Sequence, residues 1–267
     1  MNSSTESSIQ TAPVRLSVSG LAKTYQTKKG PVPVIADLTF DVHSGDIACI
    51  VGPSGIGKTT LLKCLTGLQE MTSGSAAING VPIVGPPREM ALVFQDYTRS
   101  LMPWLTVERN VQMPLMHLPI SREERHERVR SALDAVGLSD AHSRYPWQLS
   151  GGMQQRVAIA RAIAYQPEIL IMDEPFASVD AQTRFDLEDL CLDVRRRTGM
   201  TLVLVTHDID EAVYLSDRVI VLGERPAHVT RVIDITFPEP RQQTTTRALP
   251  AFARWRTEIF ELIKKAS

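Results

Sequence analysis

The sequence predicts an α/β fold: a mostly parallel sheet covered by helices, with its chemistry at the carboxyl edge of the strands. Three features carry this expectation. The apolar run Ile47 to Val51 leads straight into Gly52-Pro53-Ser54-Gly55-Ile56-Gly57-Lys58-Thr59, and a helical stripe of Thr60, Leu61, Leu62, Leu65 and Leu68 follows. From Gly152 to Leu222, helical and strand-like segments alternate. One strand-like run among them, Ile169 to Met172, ends in two carboxylates, Asp173 and Glu174.

The elements follow in order along the chain. Residues Met1 to Ser8 are polar and lack the basic start and apolar block of a secretory signal, so 1–13 is expected to be an unstructured arm. Short β-like runs then surround the glycine-rich loop: Leu16–Leu21, Val32–Val42, Ile47–Val51 and Ala76–Val84, the last turning at Asn79-Gly80. From about Asp96 to Gly152 the composition shifts to proline-rich loops and a helix from Ser121 to about Val136. Ser121 with Glu124 fits a capping box, Val129, Leu133 and Val136 share a face, and Gly137 closes the helix. This stretch reads as a helical insert. A helix over 152–164, the strand 169–172, a helix with Leu187, Leu190 and Val194 in phase, and strands 202–205 and 219–222 complete the alternation. Pro238 to Arg247 reads as a linker, and residues 238–267 end in a short amphipathic helix carrying Phe252, Trp255, Ile259, Phe260 and Ile263.

With 267 residues, 43% of them hydrophobic, the chain has material for a substantial core. The 29 Lys and Arg against 30 Asp and Glu leave a formal charge of −1. No global basic field therefore recommends nucleic acid or an anionic membrane as a partner. Cys49, Cys64 and Cys191 lie in apolar patterns without C-x-x-C spacing, which suits small buried hydrophobes in a reducing compartment. No apolar run approaches the roughly 20 residues needed to cross a bilayer, so a membrane role must come through a partner.

The chemistry begins at the loop. Glycines at 52, 55 and 57 let successive backbone N–H groups turn onto a polyanion, Lys58 reaches terminal phosphates, and the Thr59 hydroxyl ligates Mg²⁺. The phosphates would sit at a helix N-terminus, where unpaired N–H groups favour negative charge. Asp173 would hold Mg²⁺ through water opposite Thr59, and Glu174 would polarise a water for phosphoryl transfer. Alone, that run reads equally well as a strand ending in a solvated acidic turn; the loop upstream favours the nucleotide.

Leu149-Ser150-Gly151-Gly152-Met153-Gln154-Gln155-Arg156 resembles the signature sequence of ATP-binding cassette proteins, and the other motifs of that family follow in the family's order. Tyr25 matches the aromatic that stacks on adenine, Gln95 the Q-loop glutamine that touches Mg²⁺ and the attacking water, Asp180 the D-loop aspartate and His207 the switch histidine. Taken singly, Tyr25 reads as a half-buried strand aromatic, Gln95 as a strand terminus, and His207 as a helix cap with Asp208. The resemblance implies a P-loop NTPase (RecA-like) core with an antiparallel β subdomain and an inserted α-helical subdomain. That domain spans 14–237, with the helical part at about 96–152. It also implies ATP and Mg²⁺, and a head-to-tail pair in which one subunit's phosphate loop faces the other's Ser150, Gly151 and Gly152. Met153 replaces the usual glutamine, and the D-loop reads Ala177-Ser178-Val179-Asp180 in place of Ser-Ala-Leu-Asp.

The stretch Phe94-Gln95-Asp96 through Leu101-Met102-Pro103-Trp104-Leu105 to Asn110-Val111, with Glu224-Arg225-Pro226, is similar to the ATPase subunits of nitrate, sulfonate and taurine importers. The partners implied are a second copy or a paralogous subunit, an integral membrane permease and, indirectly, a solute-binding protein, at the cytoplasmic face of the cell membrane. Leu101, Met102, Trp104 and Leu105 are expected either to grip a permease helix or to pack the insert onto the core. The competing reading is a soluble cassette ATPase acting on nucleic acid or ribosomes; long coiled-coil inserts or a second cassette would mark it, and neither occurs. No Asn-Lys-x-Asp tetrad supports a GTPase.

Overall fold

A computed structural model describes residues 12–96 and 100–265, so the arm expected over 1–13 lies outside the described residues up to residue 11. The chain opens with a long antiparallel hairpin of β1 (Val14–Thr27) and β2 (Gly30–His43). Leu16, Val18, Leu38, Phe40 and Val42 are buried while their neighbours face outward, as in a sheet with one face on the core. After β3 (Ile47–Val51) and α1 (Lys58–Leu65), β4 (Ser73–Ile78) pairs with β1 and folds onto β5 (Val81–Pro82). The intervening Asn79 and Gly80 both have positive φ, 50° and 80°, as a two-residue hairpin turn of this twist requires. The first sheet thus runs β2-β1-β4-β5.

The second sheet adds β6 (Met90–Val93), β7 (Ile169–Asp173), β8 (Thr201–Val205), β9 (Arg218–Gly223) and β10 (His228–Asp234) to β3, in the order β10-β9-β3-β8-β7-β6. All pairs are parallel except β10 on β9. Every residue of β3, β7 and β8 is buried, which explains their unbroken apolar runs. Their alternate residues feed two cores. Ala48, Ile50, Ile171 and Val203 pack with α1 and the first sheet; Cys49, Val51, Met172 and Leu204 face the helical side.

That side carries α2 (Val107–Gln112), α3 (Arg122–Ala135), α4 (Gly151–Tyr165), α5 (Ala181–Thr198), α6 (Ile209–Leu215), α7 (Gln243–Arg247) and α8 (Pro250–Lys265). In the insert, Ser121 caps α3 by accepting from Glu124 N at 3.1 Å, and Gly137 beyond its end takes φ 69°. Only half of the expected capping box is made, because the Glu124 carboxylate turns to Arg128 at 2.6 Å. The apolar cluster after the Q-loop also divides. Leu101 is core and Met102 and Leu105 are half-buried, while Trp104 remains 70% exposed. Buried Asn110 folds that loop down: its amide donates to the carbonyls of Met102, Leu105 and Thr106 and accepts from Met102 N.

The segment read as a linker is instead a packed strap. Arg241 is buried, donating to the carbonyls of Tyr214 and Ser216 at 3.0 and 2.8 Å and pairing with Asp217 and Glu239. Within α7, Arg247 pairs with fully buried Glu188 of α5 at 2.7 Å and lies over the Phe185, Tyr214 and Phe252 rings. On α8, Phe252 and Ile259 are buried as the amphipathic pattern requires. All three cysteines are free and buried. Arg241→Ala would strand two buried carbonyls and unbalance Asp217, so chemical denaturation should show a loss of about 2–4 kcal/mol; a loss under about 0.5 kcal/mol, the range of ordinary surface changes, would restore the linker reading.

Candidate functional site

The parallel strands end level. Val93 stands beside Met172, Met172 beside Leu204 and Cys49 beside Leu204, so the residues just beyond β6, β7, β8 and β3 emerge together at the carboxyl edge. There the loop 52–57 turns into α1. Gly57 is the N-cap of α1 with φ 122°, a conformation closed to L side chains, and a Cβ on Gly52 would lie 2.8 Å from the Leu222 carbonyl oxygen. Ile56 anchors the loop in the core, whereas Ser54 and Gly55 are exposed and Pro53 is half-buried. Thr60, half-buried, lies in the first turn of α1.

Lys58 is only 7% exposed, and its ammonium donates to the carbonyls of Gly52 at 2.8 Å and Pro53 at 3.1 Å. Burial pulls its pKa down, and the negative charges of Glu174 and Asp173 oppose this. Asp173 behaves as the counterpart: burial first, then the adjacent Glu174, push its pKa up, while a hydrogen bond from the Thr59 hydroxyl and the Lys58 charge pull it down. The structure therefore joins the hydroxyl and the carboxylate that the sequence assigned to one cation.

Glu174 sits two residues past the last β7–β6 pair, with φ 43° and its N–H bonded to the Val205 carbonyl at 2.8 Å. A left-handed non-glycine costs about 1–3 kcal/mol and clusters at functional sites. Its carboxylate accepts from Gln95 Nε2 at 3.1 Å and lies 3.2 Å from His207 Nδ1. Two side chains from two other segments thus meet on one carboxylate. Asp208 caps α6, accepting from Asp210 N and Glu211 N, while His207 beside it turns to the Glu174 carboxylate. Tyr25 is half-buried, its hydroxyl donating to Gln69 at 2.9 Å and its ring beneath Lys23.

Ser150 caps α4, accepting from Met153 N at 3.3 Å, and among the described residues no hydrogen bond joins it to the phosphate loop. Gly151 is exposed beside it. Asp180 caps α5 through Thr183 N at 3.0 Å and Thr183 Oγ1 at 2.7 Å, and these bonds lower its pKa. The two helix starts touch: a Cβ on Gly152 would come within 2.3 Å of Thr183 Cγ2. This close approach was not readable from the motif, which explains Gly152 only by its bare N–H. Arg225, flagged in the sequence by likeness alone, donates to the Gly55 carbonyl at 2.9 Å and so braces the loop.

The residues fit a magnesium triphosphate. A buried ammonium with two of its three N–H groups on loop carbonyls, glycines where side chains would collide, and a hydroxyl paired with a carboxylate form a hard-oxygen and cationic lining.

A family model described as ABC transporter matches residues 35–177, more than half of the chain. The chain belongs to the ABC transporter family. This ABC protein is 37% identical to the nitrate import ATP-binding protein NrtD of Synechocystis sp., over 94% of this chain and 96% of that one. It is 40% identical to the aliphatic sulfonates import ATP-binding protein SsuB of Bacillus licheniformis, over 85% and 86% of the two chains. Among solved structures, the dimeric post-hydrolysis state of the ATP-binding cassette MJ0796 bound to ADP and Pi matches with a TM-score of 0.71 and 30% identity, over 84% of this chain and 100% of that one. The cbiO1 protein of Clostridium perfringens, part of the ABC transporter complex cbiONQ, matches with a TM-score of 0.75 and 26% identity, over 83% and 89%. Like its family, this ABC protein is an ATPase.

The Gly152 contact gives a direct test. Gly152→Ala should destabilise the ABC protein by about 1–3 kcal/mol in thermal or chemical melts. Adding Thr183→Ser removes the clashing methyl yet keeps the hydroxyl bond to Asp180, and should recover most of the loss; no recovery would mean that the α4–α5 contact is not what excludes a side chain.

Proposed function

We propose that this chain is the ATP-hydrolysing subunit of an importer, acting on Mg-ATP at an interface between two copies and driving a separate membrane permease. The observation that carries the proposal is the meeting of Gln95 and His207 on the Glu174 carboxylate, at the same sheet edge as the Lys58 loop.

In this reading the N–H groups of residues 54–60 and the Lys58 ammonium hold the β- and γ-phosphates of ATP. Thr59, Gln95 and, through water, Asp173 hold Mg²⁺; when bound, it neutralises charge on those phosphates and fixes their orientation. Glu174 takes the proton of the attacking water as its oxygen bonds to the γ-phosphorus, and the bond to the bridging oxygen breaks, leaving ADP and phosphate. His207 donates to the transferring oxygens and orients Glu174, and Tyr25 offers its ring face to adenine. Ser150, Gly151 and Gly152 come from the second copy, with Asp180 beside them. Three features support that assembly: the cap of α4 is exposed, it makes no bond to its own phosphate loop, and MJ0796 is dimeric.

The importer and its solute, a small anion of the nitrate or sulfonate kind, rest on the names of relatives that match this chain nearly end to end. No helix among the described residues is long and apolar enough to cross a membrane. In this reading the permease is a separate chain, met from the cytoplasmic face, with a solute-binding protein upstream and exposed Trp104 as one point of grip. A formal charge of −1 weighs against a nucleic-acid ATPase. Lys58→Ala should abolish tight ATP binding in equilibrium dialysis, whereas Glu174→Gln should bind ATP and release phosphate about 100-fold more slowly or worse; unchanged release in the second variant would remove Glu174 as the base.

A further inference from the structure

His207 lies between two residues that fix its backbone. Thr206 Oγ1 accepts from Asp208 N at 3.0 Å and donates to Glu211 Oε2 at 2.6 Å, while Asp208 caps α6. Into this cluster reaches a side chain from another element. Arg184 Nη1 donates to Asp208 Oδ2 at 3.0 Å, and its Nε lies 3.7 Å from Glu211 Oε1. That Nε is buried and makes no hydrogen bond, so one bond of the cluster stands open by less than about 1 Å, given ordinary N–H···O lengths.

Arg184 itself stands on the first turn of α5, its N–H bonded to the Asp180 carbonyl at 2.9 Å. Its neighbour Thr183 holds the Asp180 carboxylate and abuts Gly152. The same short turn therefore touches the D-loop, the signature helix and the loop carrying His207. We propose that Arg184 is a positioning residue for His207: it ties the start of α5, where the second copy would seat, to loop 206–208 and so sets the imidazole against Glu174. The proposal deepens the ATPase reading above and rests on it. Arg suits the task because its planar guanidinium holds two carboxylates in fixed directions, which a lysine point charge does not. Burial raises the Glu211 carboxyl to about 7, with Asp208 and Glu188 adding to the rise and the Thr206 bond and Arg184 opposing it. Closure of the interface that moves α5 toward α6 would complete the open Nε bond and lock the loop.

The test is a mutant cycle on ATP turnover. Arg184→Gln in the full chain should lower kcat about tenfold with KM for ATP unchanged. In a His207→Ala background, the same change should leave the residual single-turnover rate unaltered, because the residue through which it acts is gone. Asp208→Asn, which keeps the helix cap and removes the charge that Arg184 holds, should reproduce the kcat loss should Arg184→Gln fold poorly. Equal losses with and without His207, or an unchanged kcat in both Arg184→Gln and Asp208→Asn, would overturn the proposal. If His207→Ala alone left turnover intact, the ATPase assignment of His207 would fall first, and this inference with it.

Discussion

The arrangement of this molecule depends on the register of one parallel sheet. With Met172 beside Leu204 and Ile50 beside Val205, the loop of Gly52, the carboxylates 173 and 174 and the loop of His207 leave the sheet side by side. A slip of one residue in β7 would undo this twice over. It would carry Glu174 away from Gln95 and His207, and it would exchange Ile171 with Leu170 and Met172 between the two cores. The same apolar burial that fixes the fold therefore also brings these residues, so distant in sequence, to one edge of the sheet.

At that edge, charge is held under tension. Lys58 and Asp173 are both largely buried, each pushed toward its neutral form by desolvation and back toward its charged form by the other. Glu174 adds a second negative charge in a left-handed backbone conformation. Such a site is more costly as a piece of fold than as a receptor for a phosphate chain and its cation, where the same groups gain partners. On the signature side the restraint is steric. Gly152 lies against the Thr183 side chain, so the start of the helix that presents Ser150 packs directly on the start of the helix capped by Asp180.

Much of this was legible from residues alone where the signal is local. The phosphate loop, the apolar runs of β3, β7 and β8, the Ser121 cap and the faces of α3 and α5 all follow from spacing within a turn or a strand, and the structure reproduces them. What sequence reading missed is long-range and polar. Arg241 reaching the carbonyls of Tyr214 and Ser216, Asn110 folding the loop after the Q-loop, and Arg184 reaching Asp208 leave no periodic trace, because each partner is an ordinary residue in another segment. Leu101 was ambiguous between surface grip and core for a related reason: the short loop around it has no period, and only the Asn110 bonds decide which way it faces. Met153 and Val179, where this chain departs from the family's motifs, both pack against the helical-side core.

The two anion seats of the proposed site are both helix starts, α1 after Gly57 and α4 after Ser150, and among the described residues no hydrogen bond joins Ser150 to the loop ending at Lys58. In the proposed assembly a single copy supplies half of a clamp, and ATP joins the two halves. Light scattering on the Glu174→Gln protein tests this most directly. Saturating Mg-ATP should double its mass, and an added Ser150→Arg should keep it single. A mass that stays that of one chain at saturating Mg-ATP would contradict the clamp.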